Sequence, residues 1–297
     1  MKFRFIEEHR SLFQVEKMCR VLGVSTSGYY KWRGKAPSPR EKRREALAKR
    51  IAYHYQDSDG NYGSPKITHE LKKEGYQVSE KTVGRIMRAK GLRSQAMAKF
   101  RVQTTNANHS EPIAYNWLNQ HFHVCTRPNQ VWVADITYIR TRQGRLYLAS
   151  IMDLYTRKIV GWQLGPRMTD DLVIEALQKA YQAQKPGKGL IHHSDRGSQY
   201  ASVAYRKWLK QYHMIRSMSR KGNCYDNACM ESFHSILKRE LIYRYKFVAH
   251  SEAHQRMFWY IEFFYNRKRS HSKLGYLSPD RFESAYYKQN KPHKRAS

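Results

Sequence analysis

One run, Val131-Trp132-Val133-Ala134-Asp135-Ile136-Thr137-Tyr138-Ile139, is apolar on both of its alternating faces and carries a single carboxylate. A segment apolar on both faces must be covered on both, so it reads as a central strand of a layered α/β domain. Asp135 within it is costly to bury unless something pairs with it, and divalent metal ions are the obvious partners. Two further carboxylates extend the pattern. Asp195 follows the short apolar run Leu190-Ile191-His192-His193-Ser194, and Glu231 opens a helix-like segment running to about Tyr243. Thirty-five residues separate Asp195 from Glu231. Taken singly, Asp195 reads as a turn or cap residue and Glu231 as a solvated helix residue. Asp135, with apolar neighbours on both sides, resists such a reading.

Carboxylates from three different elements suit phosphoryl transfer on nucleic acid. Two metal ions about 3.5–4 Å apart can hold the attacking and leaving oxygens together. Magnesium takes hard oxygen ligands and keeps several waters. Asp135 and Asp195 fit adjacent parallel strands, which would bring their side chains together, with Asp135 bridging both ions. Lys238, seven residues after Glu231, falls on the same helix face two turns on. It can hold a phosphate or a DNA end near the metals, although alone it reads as a surface lysine. Asp153 also lies in an apolar run, but Leu154-Tyr155-Thr156 marks a strand-end turn, so it stays outside the site. Trp132 and Trp162 are assigned to the core.

The charge balance points the same way. Lys+Arg number 55 against 24 Asp+Glu, a net charge of +31, which draws a protein toward polyanions such as DNA. No stretch approaches the roughly 18 apolar residues of a spanning helix, and no signal peptide precedes Arg20, so no membrane role is expected. The 40% hydrophobic and 13% aromatic content marks a folded protein, not a basic tail. The four cysteines form no CxxC pair, which suits a reducing, cytoplasmic setting. His121-Phe122-His123-Val124-Cys125 matches no common zinc spacing and reads as a polar lead-in to the first strand.

Ahead of this block lie two small helical units. In the first, at 1–38, Val15, Met18, Cys19 and Leu22 share a helix face, Gly23 breaks it, and Ser25 caps a second helix through Trp32. That is a helix-turn-helix rhythm. Tyr29, Tyr30, Lys31, Trp32 and Arg33 are candidate DNA contacts, with some of the aromatics packing the unit instead. The second unit, at 39–96, has a basic helix from Arg40 to Tyr55 and then a helical hairpin. Ser64-Pro65 starts that hairpin, Gly75 separates its helices, Ser79 starts the next one and Gly91 stops it. Val83, Ile86 and Met87 face inward, and Arg85 and Arg88 are candidate DNA contacts. A polar linker at 97–122 follows, then the catalytic block at 123–245 and a basic helical extension at 246–297, with a disordered tail after Tyr287. Within the block the pattern predicts a hairpin turning at Arg142-Gln143-Gly144, strands over 147–152 and 158–163, and a helix capped by Thr169 that reaches Gln184. A short strand over 190–193, a helix over 200–212 and a strand over 215–218 complete it.

The block resembles the DDE integrase core, an RNase H-like fold shared by retroviral integrases and many bacterial transposases. It is closer to the OrfB-type transposases of the IS-three group of bacterial insertion sequences. The runs that carry the resemblance are Asn129-Gln130-Val131-Trp132-Val133-Ala134-Asp135-Ile136-Thr137-Tyr138, His193-Ser194-Asp195-Arg196-Gly197-Ser198-Gln199-Tyr200 and Asp226-Asn227-Ala228-Cys229-Met230-Glu231-Ser232-Phe233. Lys238-Arg239-Glu240, Tyr265-Asn266-Arg267-Lys268-Arg269-Ser270-His271 and Leu277-Ser278-Pro279 fit as well, as does the start of the chain.

The resemblance implies a mixed five-stranded sheet of order 3-2-1-4-5 flanked by helices. It implies Asp135, Asp195 and Glu231 as the metal-binding catalytic triad, Lys238 near the transposon end, and Asn227 as a helper beside the triad; Arg239, next to Lys238, is a further candidate DNA contact. The expected cofactor is Mg²⁺, with Mn²⁺ able to substitute. No zinc is expected, since the paired His and Cys of the retroviral N-terminal domain have no counterpart here. The expected partners are transposon-end and target DNA and further copies of the chain. Relatives often work as a longer fusion made by frameshifting, so the product of an upstream frame is a further expected partner; this chain begins at Met1 without it. The expected location is the bacterial cytoplasm, at the nucleoid. The activity implied is metal-dependent DNA strand cleavage and strand transfer. Its rivals are a nuclease of the same fold that cleaves without joining, and a non-catalytic DNA-binding regulator.

Overall fold

The computed structural model describes residues 1–34, 36, 38–94, 111–122, 125–220 and 224–290. Most of the linker, His123 and the end of the basic tail lie outside them. Five strands, β1 (Val131–Thr141), β2 (Gly144–Asp153), β3 (Ile159–Gly165), β4 (Ile191–Ser194) and β5 (Ile215–Met218), form one sheet in the order β3-β2-β1-β4-β5. The order is the expected one. β1–β2–β3 is an antiparallel meander, and β4 and β5 add in parallel on the other side of β1.

β1 is central, and its two faces feed two different cores. Trp132, Ala134 and Ile136 face the core shared with α7 (Asp170–Gln184) and α9 (Val203–Gln211), where Leu172, Leu177, Tyr205 and Leu209 are buried. Val131, Val133 and Ile139 face the opposite core. There α10 (Ala228–Leu237) runs on into a π-helical turn at Lys238–Ile242, and α11 (His250–Phe258) into another at Trp259–Tyr265. Both tryptophans assigned to the core are buried.

The helical units differ in how they attach. α1 (Lys2–His9), α2 (Val15–Val21) and α3 (Thr26–Arg33) enclose their own small core of Ile6, Met18, Cys19 and Tyr29. Ser25 caps α3 by accepting the Gly28 amide at 3.0 Å. α4 (Pro39–Asp57), α5 (Ser64–Lys73) and α6 (Glu80–Ala89) instead bury Ile51, Ile67, Leu71 and Val83 in the same core as α10 and α11. Gly75 and Gly91 end α5 and α6 at φ +87° and +68°, where a residue without a Cβ is unstrained. Polar latches reinforce the joint. The Tyr62 hydroxyl accepts the Ser270 amide at 2.7 Å, and Arg244 reaches Asp59 at 3.0 Å.

Three local expectations are corrected. Thr169 precedes α7 but makes no side-chain cap bond. The helix over 200–212 is two pieces, α8 (Ser198–Ala201) and α9, because Ser202 breaks the first and caps the second through the Tyr205 amide at 3.2 Å. The C-terminal helix α12 (Pro279–Gln289) carries order past Tyr287. Asp153 behaves as read from the sequence. It is a buried turn residue that accepts from Asn129, Thr156 N–H and the Thr156 hydroxyl at 2.7 Å each.

β3 and α7 meet closely at Gly161. A Cβ on Gly161 would press on the Ala176 carbonyl and come within 2.6 Å of Ala180 Cβ. Gly161→Ala is expected to destabilise the fold by about 1–3 kcal/mol through overpacking. Urea unfolding followed by circular dichroism checks this; an unchanged midpoint would show that α7 can move away at no cost.

Candidate active site

β1 and β4 are paired in parallel register, with Ala134 opposite Ser194. The next residue on each chain is Asp135 and Asp195, so the two carboxylates emerge side by side. Together with Ile136, Met168, Gly197, Gln199 and Tyr200 they line one small cavity. Asp195 is held by its own turn, since Oδ1 accepts the Gly197 amide at 2.9 Å. A Cβ on Gly197 would stand 3.1 Å from that oxygen, so the turn closes tightly around it. Asp135 Oδ1 accepts the Ile136 amide at 2.8 Å, and Oδ2 lies 3.4 Å from His234 Nδ1.

The Tyr200 ring is buried against this pair, and its hydroxyl has no hydrogen-bond partner among the described residues. Burial, then Tyr205 and the two aspartates, push its pKa well above the ordinary value, so it stays a neutral donor. Glu231 sits on the exposed side of the first turn of α10 and does not line the cavity. Among the described residues no three His, Cys, Asp or Glu side chains converge as a metal-holding group. The buried face of the same helix carries Met230, Phe233, His234 and Leu237 against the sheet. Asn227 ties the start of that helix to β1, donating from Nδ2 to the Ala134 carbonyl at 3.1 Å, one residue before Asp135.

Comparison with known proteins gives the same architecture. Residues 125–224 match the integrase core domain family, 201–279 a second integrase core domain family, and 42–100 the HTH-like domain family. Transposase InsF for insertion sequence IS3A of Escherichia coli (strain K12) is 43% identical over 286 residues, 96% of this chain and 99% of that protein. A 31 kDa protein of insertion element IS600 of Shigella sonnei is 47% identical over 270 residues, 91% of this chain and 98% of that one. The chain belongs to the insertion-sequence transposase family. Among solved structures, the HTLV-2 integrase catalytic core domain in complex with magnesium is similar over 53% of this chain and 98% of that chain, with TM-score 0.43 and 15% identity. A chain of the simian T-cell lymphotropic virus intasome is similar over 83% of this chain and 76% of its own length, with TM-score 0.47 and 15% identity.

In this transposase Lys238 is half-buried, with Nζ 5.4 Å from the centre of the Tyr138 ring. Burial lowers its pKa overall, against the opposing pull of the Asp135 carboxylate, so the ammonium lies within electrostatic reach of Asp135. Arg239 is exposed, with Nε donating to the Ser235 carbonyl at 3.2 Å. Arg85 and Arg88 are exposed on α6, and Lys31 is exposed on α3. Arg33 is tied back to Glu7 at 3.4 Å. Tyr29 is fully buried and Trp32 packs on Phe3 and Tyr29, so these two aromatics hold the first unit together.

Sequence reasoning passed over three residues at the site and one that braces the chain entering α10. His234 and Ser150 gave no periodic signal, and Tyr200 appeared only inside a quoted run. The fourth, Asp226, is fully buried and accepts from Arg220, from Asn116 Nδ2 at 2.9 Å and from Gln120 Nε2 at 2.9 Å. It thereby fastens residues 116–120 to the chain entering α10. Burial works to raise its pKa, but the bonds from Arg220 and Gln120 prevail and bring it from 3.8 to about 2. A depressed folded-state pKa stabilises above the unfolded value and is lost as pH falls toward the folded one. The contribution of Asp226 is therefore complete above about pH 4 and fades toward pH 2. Asp226→Asn is expected to lower the melting temperature at pH 7 and to narrow its gap to the parent as pH falls through that window. A gap independent of pH would assign the loss to packing.

Proposed function

We propose that this transposase cuts DNA at the ends of its element and joins the freed 3′-hydroxyl to a second strand, with Asp135, Asp195 and Glu231 as the ligands of divalent cations. The parallel register that sets Asp135 beside Asp195 on one cavity carries the reading. The donor set fits a hard, water-keeping ion such as Mg²⁺, with Mn²⁺ as substitute. Two carboxylates are already side by side, and the buried Tyr200 hydroxyl beside them has no hydrogen-bond partner among the described residues. Glu231 lies one helical turn from His234, which itself touches Asp135, and this supports delivery of the third carboxylate to the same end of the sheet. Bound there, the cations would activate water and neutralise charge on the phosphate.

The chain's own residues do the positioning. Asp135 and Asp195 are fixed by backbone amides, Asn227 holds the strand beneath Asp135, and Lys238 offers a partly desolvated ammonium for a phosphate next to the site. Arg239 extends that positive surface. Arg85 and Arg88 of the HTH-like unit, with Lys31 and Arg33 of the first unit, are assigned to the DNA backbone. No zinc takes part in this scheme. Because two DNA ends must meet, the working form is an assembly of several copies on DNA, and the product of an upstream frame is a further partner. With DNA as substrate, the proposed location is the bacterial cytoplasm, at the nucleoid.

Purified protein with Mg²⁺ or Mn²⁺, supercoiled plasmid and short duplexes copied from the DNA flanking its gene is expected to give nicked and joined products. Glu231→Gln is expected to fall to the metal-free background. Cleavage without joining by the parent would favour the nuclease, and equal activity of parent and variant would remove Glu231 from the site. DNA affinity measured across a salt series tests the HTH-like unit. Replacing Arg85 and Arg88 by Ala is expected to flatten the log–log salt slope by about 0.9 for each lost phosphate contact. An unchanged slope would take both residues off the DNA surface.

A further inference from the structure

We infer that His234 is a positioning residue for the Asp135 carboxylate, and that Ser150 fixes the orientation in which it acts. The inference rests on the reading of Asp135 as a metal ligand and adds to it the group that aims the ligand.

Asp135 and Ser150 are cross-strand partners on β1 and β2, so their side chains leave the sheet at the same level and on the same face. His234, on the buried face of α10, reaches both. Its Nε2 is 3.0 Å from Ser150 Oγ and its Nδ1 is 3.4 Å from Asp135 Oδ2. Ser150 is fully buried and His234 nearly so, so neither can turn to water for a partner. The roles follow from donor and acceptor chemistry. An Nδ1–H on that ring would face a carboxylate oxygen, which accepts. In the neutral ring Nε2 then accepts, and the Ser150 hydroxyl is the donor that satisfies it.

The other carboxylate oxygen is already committed to the Ile136 amide. Asp135 is thus held from two sides, by its own strand at Oδ1 and by the helix at Oδ2. The contact also registers α10 against the sheet, and with it Glu231 one turn earlier. A group that donates to a ligating carboxylate sets its orientation, and removing such a group typically costs about 10–100-fold in metal affinity.

The test compares four variants of the full chain with Asp135→Asn as reference. Each is measured for Mn²⁺ binding by calorimetry without DNA, for metal-dependent nicking, and for its melting temperature. Asn at 234 can place an amide N–H near the position of Nδ1, whereas Gln places its polar end near that of Nε2. His234→Ala is expected to weaken Mn²⁺ binding about tenfold or more, with nicking recovered at raised Mn²⁺. His234→Asn is expected to restore most of the affinity and His234→Gln little of it. Ser150→Ala is expected to weaken binding less than His234→Ala, since it frees the ring without removing it.

Parental Mn²⁺ affinity in a folded His234→Ala protein would overturn the inference. If that variant does not fold, the Asn and Gln variants decide: equal affinity in the two, or rescue by Gln alone, overturns it. Asp135→Asn separates the two failures. If it abolishes Mn²⁺ binding while His234→Ala does not, only the role of His234 is lost. If Asp135→Asn itself binds Mn²⁺ as the parent does, the metal reading of the site fails.

Discussion

The parallel pairing of β1 with β4 is the constraint on which the rest of this structure depends. The parallel register sets Asp135, in the middle of β1, level with Asp195, just past the end of β4. Two like charges this close are unfavourable in a half-buried setting unless something answers them. The sheet accordingly surrounds the pair with backbone amides, a buried phenol and an imidazole. Ligand sites of open α/β sheets lie outside the carboxyl ends of the strands, where strand order reverses. In this sheet β1 is where the antiparallel meander gives way to the parallel pair.

A buried charge cluster holds the turn into which α10 runs. Glu240, in the π-helical turn after α10, accepts from Arg269 Nε and Nη2 at 2.8 and 2.7 Å and from the Tyr260 hydroxyl at 2.8 Å. Burial works against the charge on Glu240, yet the Arg269 guanidinium keeps its pKa below the ordinary carboxylate value. Breaking one partner of a buried pair costs about 3–5 kcal/mol, because the other is left charged and unpaired. Tyr260 lies in the second π-helical turn, so both irregular turns supply a member of one cluster. Lys66 of α5 packs beside it over the Tyr62 ring, its pKa pushed down to about 8 by burial and by Arg269. The HTH-like unit, the helix that bears Glu231 and Lys238, and the C-terminal segment are therefore joined around one ion pair.

Much of this was legible in the chain. The run from Val131 to Ile139 announced a doubly covered strand, because alternation cannot hide apolar residues on both faces of an edge. Ser25, Ser79, Gly75 and Gly91 marked helix ends by local chemistry alone. The break at Ser202 was not legible, since a serine within an apolar periodicity is equally compatible with a continuous helix. The π-helical turn after Leu237 was hidden too, since the partner of Glu240 within it is the distant Arg269. Tyr29 illustrates the same limit. Its aromatic, basic neighbourhood suggested a DNA contact, whereas its ring closes a small core and its hydroxyl binds Glu7.

The sequence by itself determined the α/β character, the strand and helix boundaries to within a few residues, and the family through motifs that local chemistry makes recognisable. It also determined which carboxylates were candidates, because an aspartate among buried residues is costly wherever it occurs. Only the tertiary structure decided which of them meet. Register between β1 and β4 joined Asp135 to Asp195, while the rotation of α10 turned His234 inward and Glu231 outward. Those outcomes depend on contacts between residues 60 to 99 positions apart, and no local periodicity encodes a choice that is made by packing one element against another.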